Sequence, residues 1–132
     1  MSGESDLQKL IRSISPKLNE GEYVFVVVEN TDNIDCSDVI CEFKELEGVT
    51  LIIKKESADK LNLLYNFVAS WITLKVYSSL KAVGLTAIIS TELAKYQISC
   101  NVVAGYYHDH LFVNVKGAEK AIQILNKLSK NY

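Results

Sequence analysis

Hydrophobic residues recur along this chain with two alternating periods, and the switches between them mark its elements. Leu7, Leu10, Ile11 and Ile14 repeat at helical spacing, and Ser5 followed by Gln8 has the form of a capping box. A short amino-terminal helix is expected there, ended by Pro16 and Gly21. From Tyr23 to Val28 every residue is apolar, mostly β-branched or aromatic, which predicts a central strand covered on both faces. The polar stretch Glu29 to Asp35 then leads to Val39–Phe43 and Val49–Lys54, two strands joined as a hairpin around Glu47 and Gly48. Ser57 to Leu64 reads as a short helix. Phe67 to Tyr77 reads as a long strand, with Val68, Ile72, Leu74 and Val76 on one face and Phe67, Trp71 and Tyr77 on the other.

After Gly84 the period changes from two to about 3.6, and Leu85, Ile88, Ile89, Leu93 and Tyr96 form one stripe of a helix ending near Gln97. Strict alternation returns from Ile98 to Ala104 and again from His110 to Val115, with Gly105 to Asp109 as the connector of a hairpin. A last helix starts near Gly117 and aligns Ala118, Ala121, Ile122, Leu125 and Leu128. Glu119 in its first turn and Lys127 and Lys130 near its end suit the helix dipole. The carboxy-terminal half therefore runs β-α-β-β-α. That order begins a ferredoxin-like α/β (α+β) sandwich, an antiparallel sheet with helices on one face. The amino-terminal half has a comparable mix of short helices and strands without an exact repeat.

Length bounds this arrangement, because 132 residues suffice for one domain or two small subdomains sharing a core. A hydrophobic fraction of 48%, 23% charged residues and a single proline describe an ordered globular chain. Fourteen basic residues against sixteen acidic ones give a net charge of -2, with no basic cluster suited to nucleic acid. No apolar run reaches membrane-spanning length and the start has no signal-peptide pattern, so a cytoplasmic protein without membrane or nucleic-acid partners is expected. Cys36, Cys41 and Cys100 match no zinc or redox spacing and read as buried thiols or surface bystanders, although Cys36 and Cys41 could meet across a turn.

The most reactive-looking cluster is His108-Asp109-His110, since imidazoles two residues apart in a strand point the same way and could share a metal. Further ligands would have to come from elsewhere, so no metal is expected; a polar turn and a direct contact to a ligand or partner are the other readings. Ser78 or Ser79 with His108 and Asp109 makes a hydrolytic triad only on paper, because there is no G-x-S-x-G elbow and the acid adjoins its histidine. Neither a P-loop nor a G-x-G-x-x-G run occurs, and no cofactor or catalysis is expected. Trp71, Tyr77, Tyr106 and Phe112 fall on or near the sheet face opposite the helices, where they either pack between halves or subunits or wall a ligand pocket.

The runs Trp71 to Leu74, Ser78 to Thr86 and Ile98 to Val113 resemble a group of small bacterial tandem ACT proteins. The resemblance implies two ACT-like subdomains, a degenerate one at 1–66 and a second at 67–132, and a regulatory role without catalysis. It also implies a small-molecule ligand, most simply an amino acid, bound at an interface in a homo-oligomer, with a dimer the simplest case. Carried onto this chain, the ligand loop is Ser78 to Thr86, with Gly84, Leu85 and Thr86 at the helix entrance and Ser99, Asn101 and Val102 on the following strand. Gly84 would permit close backbone approach beside free amides, and the Asn101 amide offers donors and an acceptor. An interface hydrogen bond explains Ser99 and Asn101 equally well. Two features depart from the family pattern: Ala82-Val83-Gly84 stands in place of an Asp-Pro-Gly loop, and six strands are countable where two complete modules have eight. The amino-terminal half is then a degenerate module or lends a strand to its neighbour. The alternative to a ligand-binding module is an interaction domain that has lost its pocket.

Overall fold

A computed structural model describes residues 6–76 and 82–132. Its elements are α1 (Leu7–Arg12), β1 (Pro16–Leu18), β2 (Tyr23–Val28), β3 (Val39–Lys44), β4 (Val49–Lys54), α2 (Lys55–Lys60), β5 (Val68–Leu74), α3 (Leu85–Lys95), β6 (Cys100–Ala104), β7 (Asp109–Asn114) and α4 (Ala118–Lys130). Contacts divide the chain into two compact units, Met1–Glu20 with Ser70–Tyr132, and Gly21–Ala69. This grouping cuts the chain differently from a division into 1–66 and 67–132, because the first twenty residues fold with the carboxy-terminal part.

In the unit Gly21–Ala69, β2 pairs antiparallel with β4 from Tyr23↔Lys54 to Val28↔Val49. On its other side β2 meets the first residues of β5, as Tyr23↔Ala69 and Val24↔Val68. β3 pairs antiparallel with β4, with an irregularity between Val39 and Cys41. The strand order β3-β4-β2-β5 is the ferredoxin-like order, but a 3-10 turn at Cys36–Asp38 stands where a first helix belongs. Asn30 and Asp35 explain this, since their side chains accept from the amides of Asp32 at 3.0 Å and Ser37 at 2.9 Å, and such local bonds compete with helix formation. Val24, Val26, Leu51 and Ile53 share a buried face with Ala58 of α2. Contrary to the expected double coverage of β2, Val27 is 64% exposed, because α2 packs on the face of Val24 and Val26. The helix expected over 57–64 is shorter and starts earlier. Asn62 takes the left-handed conformation (φ 56°), and the amide of Leu63 donates back to the carbonyl of Ala58, which closes α2.

The other unit contains a strand that periodicity does not reveal. β1 lies antiparallel to β5, as Pro16↔Leu74, Lys17↔Thr73 and Leu18↔Ile72, so Pro16 begins an edge strand rather than merely ending a helix. Backbone bonds from Lys75 to Ser15 (2.9 Å) and from Asn19 to Trp71 (2.8 Å) hold its two ends. β5 also neighbours β7, and β7 pairs antiparallel with β6 from Cys100↔Val113 to Ala104↔Asp109. β1 thus occupies the place of the fourth strand in the ferredoxin-like order, supplied from the start of the chain. Ile72, Leu74, Leu111 and Val113 face α1, α3 and α4, whose Leu10, Ile11, Ile89, Leu93, Ala121 and Leu125 complete one buried core. Helices therefore cover one sheet face, as the alternation predicts.

Helix ends follow local chemistry. The capping role assigned to Ser5 lies outside the described residues, and the Asp6 side chain accepts from the Lys9 amide at 3.2 Å. α3 closes with Gln97 in the left-handed region (φ 63°), where Gln97 donates to Ala94 O and Ile98 to Leu93 O. Among the described residues no helix is long and apolar enough to cross a membrane.

Candidate functional site

The residues expected to hold a ligand fall at the amino terminus of α3 and on β6. Gly84 precedes α3 with φ 100°, a conformation open to glycine, and the Ile88 amide donates to its carbonyl at 3.0 Å. Among the described residues no side chain caps this helix, and its first turn carries no acid. Among the described residues α3 differs in this from α1, capped by Asp6, and from α2 and α4, whose first turns hold Glu56 and Glu119. Among the described residues no capping side chain meets its first amides, whose positive ends point out of the helix. Leu7 of α1 lies over this point, since a Cβ on Gly84 would meet Leu7 Cδ2 at 3.1 Å.

The individual residues are not equivalent. Leu85 is buried in the core, so it presents a backbone amide rather than a side chain, whereas Thr86 is exposed. Ser99 and Asn101 are exposed, and Val102 packs against the core on the opposite side of β6. Asn101 Nδ2 donates to the carbonyl of Phe112 at 3.3 Å across the hairpin, leaving its other polar capacity outward. Ser78 to Lys81 of the expected loop lie outside the described residues.

A second group assembles on the sheet face away from the helices. Trp71 Nε1 donates to His110 Nδ1 at 3.0 Å, and Thr73 Oγ1 lies 3.2 Å from the same nitrogen. Asn19 Nδ2 donates to Thr73 Oγ1 at 2.9 Å and to the Trp71 carbonyl at 3.1 Å. An indole nitrogen only donates, so His110 Nδ1 must accept and the ring proton belongs on Nε2. Burial pushes the His110 pKa below its ordinary value, repulsion from His108 adds to this, and Asp109 opposes it. Trp71 also stacks on Phe112, with centroids 6.2 Å apart at 18°. Trp71 and Phe112 therefore meet as parity predicts, while Tyr106 is exposed on the connector and Tyr77 lies outside the described residues.

Sequence reasoning misses Asn19 and Thr73 as members of this group. Thr73 shares the parity of Trp71, which is a usable signal, but Asn19 comes from 54 residues away in sequence and carries none. His108 and His110 separate in role: His110 belongs to β7 and the network, whereas His108 Nδ1 is buried with no hydrogen-bond partner among the described residues. Among the described residues no three His, Cys, Asp or Glu side chains gather as a metal site. All three cysteines are free, and burial pushes the Cys100 thiol up to about 11, which keeps it protonated and unreactive.

Known proteins share this architecture. A Vibrio cholerae protein of unknown function, described as a possible transport protein, is 43% identical, with a TM-score of 0.84 over 95% of this chain and 97% of that one. An Agrobacterium tumefaciens protein superposes with a TM-score of 0.70 at 15% identity, covering 88% of this chain and 89% of its own. The regulatory subunit of aspartate kinase from Thermus thermophilus gives 0.59 at 8% identity, covering 87% and 98%, which shows a shared fold. A search of curated proteins finds no match. One family model described as ACT domain matches residues 2–70 and a second, also described as ACT domain, matches 66–127. With two such units in sequence, the chain belongs to the ACT-domain family.

Proposed function

We propose that this chain is a non-catalytic regulatory protein that binds an amino acid at the amino terminus of α3. The observation that carries the reading is the helix entrance at Gly84, where among the described residues neither a capping side chain nor a first-turn acid meets the first amides, a setting suited to a carboxylate. Thr86 and the Leu85 amide would meet the ligand there, whereas Ser99, Asn101 and Val102 follow the far end of α3, about 16 Å along the helix from Gly84, and would reach the same ligand from a second copy across a homodimer interface. The regulatory subunit of aspartate kinase among its structural neighbours supports a sensing role. The same reading takes the chain as two modules, 1–66 and 67–132, working as a cytoplasmic homodimer; the consecutive family matches support that division.

A thermal-shift screen of the reduced protein against the twenty amino acids tests this, because a ligand of the folded state raises stability by RT ln(1 + [L]/Kd). One clear hit is expected. Asn101→Ala should weaken that binding by about 1 to 3 kcal/mol, the consequence of an unmatched polar partner, while leaving the melting temperature of the free protein nearly unchanged. No shift with any amino acid would overturn the reading.

A second reading, an interaction domain without a ligand, is favoured by one observation. Leu7 already packs against Gly84 and Asn101 already has an intramolecular acceptor, so both key positions have partners.

A further inference from the structure

At the other end of α3, its last turn and α4 enclose a groove of about 390 Å³. Its floor is Ile124 and Leu128, which α4 turns mostly but not wholly into the core, at 7% and 8% exposure. Tyr96 and Tyr132 form its walls, each still substantially exposed. Lys120 and Lys127 stand over it, seven residues and so about 10 Å apart along the helix. The Lys120 ammonium is held 5.2 Å from the Tyr96 ring centroid, which anchors a positive charge at one end of the groove.

The charge balance is what selects a ligand class. The one acidic side chain among the lining residues, Glu92, is engaged by Lys95 at 2.6 Å. Lys120 and Lys127 form no ion pair among the described residues. A protein whose net charge is -2 thus carries a locally cationic groove with an apolar floor and aromatic walls. Its volume sits at the small end of ligand pockets, roughly 300 to 1,000 Å³, which suits one ring with a short acidic arm.

We propose that this groove binds a small aromatic carboxylate, with the ring between Tyr96 and Tyr132 over Ile124 and Leu128 and the carboxylate drawn to Lys120 and Lys127. The site is independent of the helix entrance at Gly84, which lies at the opposite end of α3.

The test is a ¹H–¹⁵N titration of the full chain with 3-phenylpropionate and, separately, with its uncharged amide. Saturable shifts are expected at Tyr96 and along residues 120–128, with the amide binding at least about tenfold more weakly, equivalent to 1.4 kcal/mol. The double variant Lys120→Met with Lys127→Met should lose the acid, and Lys120→Arg with Lys127→Arg should keep it; the arginine pair decides if the methionine pair misfolds. Absence of saturable shifts, equal binding of acid and amide, or shifts confined to residues 84–87 and 101 would overturn the proposal. The last outcome would support the amino-terminal site instead.

Discussion

Lowering the pH from 8 to 5 should loosen the face built around Trp71, and the sequence contains a built-in reporter because Trp71 is its single tryptophan. His110 Nδ1 accepts from the indole at 3.0 Å; once protonated it presents a second donor to a group that can only donate. Burial and the nearby His108 hold the His110 pKa below its usual value, so the folded protein takes up this proton later than the unfolded chain does. Between the ordinary histidine value of about 6.5 and the lower folded value the unfolded state binds more protons. The stability from neutral His110 is therefore complete above about pH 6.5 and is lost as pH falls through that value toward the folded one. An unmatched indole donor costs about 1 to 3 kcal/mol, and because water can reach this partly exposed ring the lower end applies, near 1 kcal/mol. For a chain of this size that is about 4 °C in melting temperature. Trp71 emission followed from pH 8 to 5 should change with a midpoint below 6.5, and His110→Gln, which keeps an acceptor, should abolish the change. A midpoint at or above 6.5 in the wild type, or a midpoint unaltered by the substitution, would refute the reasoning.

Three further outcomes follow from the packing. Leu93→Ala empties a fully buried position of the main core and should cost about 2 to 5 kcal/mol in urea unfolding, whereas a cost below about 1 kcal/mol would mean that α3 is not held as described. Gln97→Gly relieves a left-handed residue at the end of α3 and should stabilise by about 0.5 to 1 kcal/mol; destabilisation would show that the Gln97 side chain matters more than its backbone. Iodoacetamide at neutral pH should label exposed Cys36 readily and Cys100 slowly until the protein unfolds, as read by mass spectrometry, and equal rates would contradict the buried, high-pKa Cys100 thiol.

Elements with a long, clean period were legible from residues alone. The stripe of α4 apart from the buried Ile124, the core side of α3 apart from the exposed Tyr96, and the β6–β7 hairpin each repeat one spacing over several turns or alternations, and a period is a property of the chain itself. The cap of α2 was missed, since the expected helix over 57–64 runs through Asn62, a residue that tolerates the left-handed region, and Gln97 adopts that region because Leu93 and Ile98 both belong in the core. The expected ligand residues rest on family resemblance and a glycine, and the sequence carries no sign that Leu7 lies over Gly84.

The tertiary structure decided what depends on partners distant in sequence. Pro16, Lys17 and Leu18 have no strand signature, and they become a strand because β5 offers them an unpaired edge. The grouping of the first twenty residues with 70–132 follows from that pairing and from the burial of Leu10 and Ile11 among α3 and α4. In the same way Asn19, Trp71, Thr73 and His110 form one network only because β1, β5 and β7 lie side by side, and hydrogen bonds bridging 37 to 54 residues leave no periodic trace for a sequence to show.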